Sequence, residues 1–179
     1  MSTAILVSAI LATVVASHYL ASFIQAILHQ FVGHHPRGRF FYRTHVRDHH
    51  GRYPGNATVS ETYSDEERDI AVFYLVPAAL LAVTAYLLLP LAIFVAHAAS
   101  LAASYGAHVY LHVQYHLARS WLNRFAWFRR RRQLHFVHHR EPTKNFAVID
   151  FVWDRLGGTY QPARHGRWRL GPLDRRPSR

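Results

Sequence analysis

LAIFVAHAASLAASYGAHVYLHVQYH, residues 91–116, decides how the rest of this chain is read. The stretch has no Lys, Arg, Asp or Glu, and it closes on His112 and His116. About 20 predominantly apolar residues suffice to cross the hydrocarbon core of a bilayer. The expectation is therefore a spanning helix that begins after Pro90, runs to about Val113 and delivers a histidine pair at its end. Residues four apart share a helix face, so His112 and His116 stack on one side, and His108 extends that line by a turn.

Two further apolar segments flank it. Residues 3–28 are apolar apart from small hydroxyls, His18, Tyr19 and Gln25, and read as a first span. A signal peptide would need a basic n-region and a cleavage site; the n-region is missing, and cleavage would sever the segment from His29. Gly33 and Pro36 read as its end. Ile70–Leu89 reads as a second span, with Pro90 in the turn of a helical hairpin. Between these spans, Pro54-Gly55-Asn56 is a turn signal. The acidic run Glu61–Asp69 reads as a helix start, with Ser64 and Glu67 at capping-box spacing.

The charges fit this layout. The 179 residues carry 21 Lys and Arg against 10 Asp and Glu, a net charge of +11 and a pI near 10.7, although half the residues are hydrophobic. No Lys or Arg precedes Arg37, and Arg68 is the only one between Arg52 and Arg119. A nucleic-acid binder would not place uninterrupted Ala, Leu, Ile and Val in its charge-free stretches. Basic loops held on the cytoplasmic side account for the pattern, giving an outside N-terminus and a cytoplasmic C-terminus. Without cysteine there is no disulfide framework, zinc ribbon or iron–sulfur ligation. The chain is expected to form one domain, residues 1–160, followed by a basic, loosely ordered tail, residues 161–179. That length leaves no room for a fused haem, flavin or ferredoxin domain.

Ten of the fifteen histidines fall into four clusters at the cytoplasmic ends of the expected spans: His29 and His34; His45, His49 and His50; His112 and His116; His135, His138 and His139. The last group, HxxHH, can converge from one helix face. His29 and His34, five apart, meet only if the helix ends at Gly33 and His34 swings back. In HxxxHH, His45 and His49 share a face while His50 points partly away. Burying so many imidazoles unpaired would be costly, and no comparable set of carboxylates is present to partner them. Neutral imidazole is the commonest protein metal ligand and suits iron and zinc alike. The expectation is a dinuclear centre ligated almost wholly by these ten histidines, acting as ligands and not as acid–base catalysts. Asp48, Glu141, Asn145 and Asp154 are the nearby side chains that would orient the rings. His18 and His97 lie within spans, as functional groups or as neutral rings bonded to a facing helix.

These clusters resemble the fatty acid hydroxylase and sterol desaturase superfamily of integral-membrane diiron enzymes. That pattern of HxxxxH, HxxHH, HxxxH and HxxHH corresponds to the four clusters in order. Asn145-Phe146-Ala147 and Trp153-Asp154-Arg155-Leu156-Gly157-Gly158-Thr159-Tyr160 are similar to the family's NFG…WDRLFGTY ending. The second box here carries one extra residue, which leaves the share of His45, His49 and His50 in ligation open, and Gly158 stands where the family usually has Gly after Phe. The resemblance implies an all-α integral membrane protein with three transmembrane helices and a cytoplasmic helical cap. It implies two iron ions, replaceable by zinc on purification, and dioxygen as co-substrate. It also implies a lipid substrate and a separate electron-donor protein, ferredoxin-like or a b-type cytochrome, with the bacterial inner membrane as location. Hydroxylation of an unactivated C–H bond on an acyl or sphingoid chain is the first expectation, desaturation the second and carotenoid hydroxylation a third. From outside the family, the rivals are a non-redox zinc-binding membrane protein and a haem protein with His18 and His97 as axial ligands. No HExxH motif favours a zinc protease. The run Arg129–Arg132 with Trp121, Trp127 and Phe128 reads as a membrane-interface segment or as a dock for an acidic donor.

Overall fold

A 26-residue helix, α1 (Thr3–Leu28), opens the chain, with the Ser2 hydroxyl accepting the Ile5 N–H at 3.4 Å as its cap. This computed structural model describes residues 2–64 and 68–163, the side chains of residues 68–73 excepted. The described residues are helical and contain no strand, only an isolated bridge between Ser60 and Leu117. After α1 come a π-turn, His29–Gly33, a 3₁₀ turn, Pro36–Gly38, and a helical run built of α2 (Phe40–Tyr42), a π segment (Arg43–His49) and α3 (His50–Arg52). Helices α4 (Arg68–Leu88) and α5 (Leu91–His116) form a hairpin turned at Pro90, as the sequence suggests. A 3₁₀ turn, Trp121–Arg124, leads to α6 (Ala126–Arg140), and the short α7 (Val152–Leu156) follows.

Among the described residues, two helices are long and apolar enough to cross a membrane: Thr3–Gly33, counting the π-turn, and Leu91–His116. They face outward with large apolar groups, among them Leu11, Val15, Leu91 and Val95. So much exposed hydrocarbon suits a lipid surrounding better than water. In α4 the described apolar stretch is Tyr74–Leu88, shorter than a full span.

Helices α1 and α5 pack along each other through small and polar groups, as membrane helices do. The Ser100 hydroxyl donates to the Val14 carbonyl at 2.8 Å. His97 Nδ1 lies 2.7 Å from Ser17 Oγ, and His18 Nδ1 lies 2.9 Å from Ser104 Oγ. Both His18 and His97 thus pair with a serine of the facing helix.

The segments outside the long helices are fastened to the end of α5. Ser60 N–H donates to His116 O and Ala118 N–H to Ser60 O, both at 2.9 Å. Arg132, 3 % exposed, donates to Tyr115 O, Leu117 O and Asn123 Oδ1 at 2.7–2.8 Å. One arginine of the run read as an interface patch is therefore an internal clamp on the frayed carbonyls of α5. The capping pair fares differently. Ser64 Oγ lies 3.1 Å from Arg52 Nη1, while Glu67 is outside the described residues, as is the tail from Arg164 onward.

Candidate metal centre

All ten histidines singled out in the sequence meet at one end of the α1–α5 pair. Two groups form there. In the first, His49, His112, His116, His135 and His139 present ring nitrogens that all lie within 4.8 Å of one another. In the second, His29, His34, His45 and His138 do the same. His50 joins the second group, its Nε2 3.2 Å from both His45 Nε2 and His138 Nε2, while its ring stacks on His139 at 4.3 Å.

Backbone geometry explains how clusters with awkward spacing converge. An α-helix turns about 100° per residue, so a residue five positions on lies about 140° away. The i→i+5 bonding of a π-turn brings it back above the first. His34 N–H bonds His29 O at 3.0 Å across one π-turn, and His50 N–H bonds His45 O across the other. The HxxxHH box keeps its extra residue because the segment winds as π. His49 then serves the first group while His45 and His50 serve the second. Gly33 lets the first π-turn close, since a Cβ there would stand 3.3 Å from the His29 ring.

The protonation pattern is fixed from outside the centre. His29 Nδ1–H donates to Phe146 O, and His138 Nδ1–H to Lys144 O at 2.8 Å. His116 Nδ1–H donates to Thr58 O at 2.8 Å, and His139 Nδ1–H to Tyr53 O at 2.7 Å. A neutral imidazole that donates from Nδ1 carries its lone pair on Nε2, and the Nε2 atoms of these rings point inward. His116 and His135 approach Nε2 to Nε2 at 3.0 Å, His34 and His138 at 3.0 Å, His29 and His45 at 2.7 Å. Four rings thus turn Nε2 lone pairs toward neighbouring imidazoles, which cations held between them would satisfy, so the donor set fits two metal ions.

Electrostatics agree with that reading. Burial first, and the neighbouring imidazoles second, hold His34, His45, His49, His135, His138 and His139 well below the ordinary value near 6.5. Only the bond from His139 to the Tyr53 carbonyl pulls the other way. The rings stay neutral, the form in which histidine ligates metal.

The four side chains expected to orient the rings act differently. The Nδ1 partners above are backbone carbonyls, in place of the carboxylates and amide anticipated. Asp154, 2 % exposed, accepts Phe146 N–H at 2.7 Å, Ala147 N–H at 3.0 Å and the Thr159 hydroxyl at 2.7 Å. Burial pushes its carboxyl up, and these three bonds oppose the rise. Asn145, at φ 53°, donates to Leu134 O and Gln161 O and accepts Gln161 N–H. Both residues hold the loop 144–148 whose carbonyls reach His138 and His29. Glu141 bonds the Gln161 amide at 2.6 Å, and Asp48 is exposed.

Sequence reasoning passed over Gln25, Tyr53, Thr58 and Tyr115. Gln25, buried one turn before His29, clamps the loop with both ends of its amide, donating to Phe146 O and accepting Val148 N–H at 3.2 Å. A lone amide in an apolar helix was its signal, because burial demands partners. Tyr115 donates to Val148 O at 3.0 Å. Tyr53 and Thr58 act through carbonyls, which no residue type announces.

Two small cavities of about 20 and 60 Å³ lead from the centre into the helices. The first touches His29, His45 and His112; the second runs between α1, α4 and α5; Gln25, Tyr74 and His108 line both.

Fold and site together define a helical protein with spans fit for a membrane, carrying a two-lobed histidine centre suited to two metal ions. The sequence model of the fatty acid hydroxylase family matches residues 13–159, and the chain belongs to that family. Its function is accordingly of the lipid hydroxylase or desaturase type. Neither a curated protein nor a solved structure matches the chain.

Proposed function

We propose that this protein is a membrane-embedded, non-haem diiron oxygenase that hydroxylates an unactivated C–H bond of a lipid chain. The observation that carries the reading is the set of ten inward-facing histidines, four of them held by backbone carbonyls in the ligating tautomer. When bound, the iron pair supplies the redox chemistry that activates dioxygen. The protein's part is to hold the rings neutral and aimed, and to keep the site dry so that the oxidising power is not lost to side reactions.

The apolar cavity between α1, α4 and α5 supports a substrate chain that reaches the centre from the bilayer without crossing water. In this reading α4 completes a third span, the cap lies in the cytoplasm, and the N-terminus lies outside. Hydroxylation of an acyl or sphingoid chain ranks ahead of desaturation. Electrons come from a separate donor, ferredoxin-like or a b-type cytochrome.

The test is metal content in gently purified, detergent-solubilised protein beside His139→Ala. About two iron ions per chain, reduced in the variant, are expected, with product formation abolished by His138→Ala or His112→Ala in inserted protein. Folded protein that binds little or no metal would sink the reading, and stoichiometric zinc that iron cannot replace would sink its redox part.

A further inference from the structure

Beside α1, between α6 and the approach to α7, lies a cavity of about 610 Å³ that plays no part in the histidine centre. Its wall includes Tyr19, Trp127, Arg130, Arg131, Asp150 and Arg155. The three guanidiniums are placed differently. Arg130 is exposed. Arg131 donates from Nε to Ile149 O at 3.0 Å and lies 5.6 Å from the Trp127 ring centre. Arg155 stacks 4.4 Å from the Tyr160 ring centre. The carboxylate of Asp150, 3.1 Å from His18 Nε2, lies on the same wall, so three guanidiniums face one carboxylate and the cavity stays net cationic.

The cavity reaches α1 at Tyr19. Val7, Leu11, Val15 and Tyr19 recur every four residues, and all are exposed, at 50 %, 61 %, 56 % and 44 %. Each step of four turns about 40° around the helix, so these residues form a slanting apolar stripe that ends at Tyr19, in the cavity wall. Trp127 is 45 % exposed and Trp121 54 %, and Arg124 stacks 4.7 Å over Trp121. Trp121 Nε1–H in turn donates to Tyr110 of α5 at 2.7 Å. Aromatic rings beside arginines mark headgroup depth, and a guanidinium binds phosphate through a planar fork.

We propose that this cavity binds the phosphate of an anionic phospholipid headgroup, whose acyl chains lie along the Val7–Leu11–Val15 stripe. The proposal rests on the embedding of α1 in the membrane and not on the oxidation chemistry. An acidic protein would approach from water, whereas Tyr19, at the end of the exposed apolar stripe of α1, forms part of this cavity's wall.

The experiment is native mass spectrometry of the full chain released from mixed micelles of phosphatidylglycerol and phosphatidylcholine, with metal content measured on the same samples. Retention of one phosphatidylglycerol per chain is expected, with Arg130→Ala/Arg155→Ala weakening it at least tenfold. The equally charge-depleted Arg124→Ala/Arg129→Ala, away from the cavity, is expected to retain the lipid. Equal retention of both lipids by the native chain, loss in both double variants alike, or displacement by millimolar inorganic phosphate would overturn the site. So would failure to retain lipid together with an acidic peptide that cross-links at Arg130, which would assign the cavity to a protein partner. Lipid retained by metal-free chain would refute the oxygenase reading and leave this site standing.

Discussion

Asp154→Asn separates the two lobes of the centre. Asp154 accepts three hydrogen bonds, and the loop it holds presents Phe146 O to His29 and Lys144 O to His138. Both of those rings belong to the four-histidine group. The five-histidine group takes its carbonyls from Tyr53 and Thr58, on a different segment. An asparagine can keep the Phe146 and Thr159 bonds on its oxygen, but its amide then faces the Ala147 N–H, donor against donor. Ala147 is fully buried, and an unsatisfied buried N–H costs about 1–3 kcal/mol. Relief comes from a shift of the loop, which carries the Phe146 carbonyl with it. Loss of such orienting partners typically weakens metal binding about 10–100-fold. The variant is expected to lose one of two metal ions to a chelator concentration that the native protein withstands, while the second ion stays. Dialysis against graded chelator, followed by elemental analysis and a fold check, reads this directly. Two ions held as tightly as in the native protein, or both lost together from folded variant, would refute the division of labour.

Three further outcomes follow from the same geometry. His45→Ala and His49→Ala should each leave about one ion per chain by elemental analysis, and the double variant none, because the two rings serve different groups. Arg132→Met keeps the buried stem but leaves Tyr115 O, Leu117 O and Asn123 Oδ1 without their donor. A loss of about 3 kcal/mol is expected from bonds to a charged group, seen as a lower thermal midpoint in detergent. Metal-free protein should lose stability on acidification. The depressed rings bind no proton when folded, whereas unfolded ones do below about 6.5, so each ring costs up to about 1.4 kcal/mol per pH unit below that value. A midpoint at pH 5.5 equal to or above that at pH 7.5 would contradict it.

The apolar runs made α1, α5 and the hairpin at Pro90 readable, because hydropathy registers length and composition directly. His112/His116 and His135/His138/His139 were readable for a related reason: spacings of three and four are those of an α-helix, and both sets sit on one. What the pattern concealed was backbone. The partners of the rings are the carbonyls of Tyr53, Thr58, Lys144 and Phe146, and every residue has a carbonyl. The sequence showed Asp154 and Asn145 as polar side chains near the histidines, and direct contact was the natural inference. Instead they shape the loop that supplies those carbonyls. Arg132 looked like its neighbours in an exposed basic run, and only the position of the α5 terminus makes it internal.

The two π-turns unite these points. A histidine pair five residues apart cannot share a face of an α-helix, yet the chain uses this spacing twice, at His29/His34 and at His45/His50. Both pairs belong to the second lobe, whereas the first lobe draws His112/His116 and His135/His139 from α-helix at spacing four. The lobes are therefore held by different backbone means. One takes four of its five rings from two continuous helices, with His49 from the π segment, and takes its carbonyls from the segment fastened to the end of α5. The other stands on two wide turns, with His138 the one ligand it draws from continuous helix, and takes its carbonyls from the loop that Gln25, Asn145 and Asp154 hold. A π-turn lacks the tighter bonding of its neighbours, so its rings depend more on that loop for their aim. This is why a single carboxylate that touches no histidine is expected to govern one metal ion and not the other.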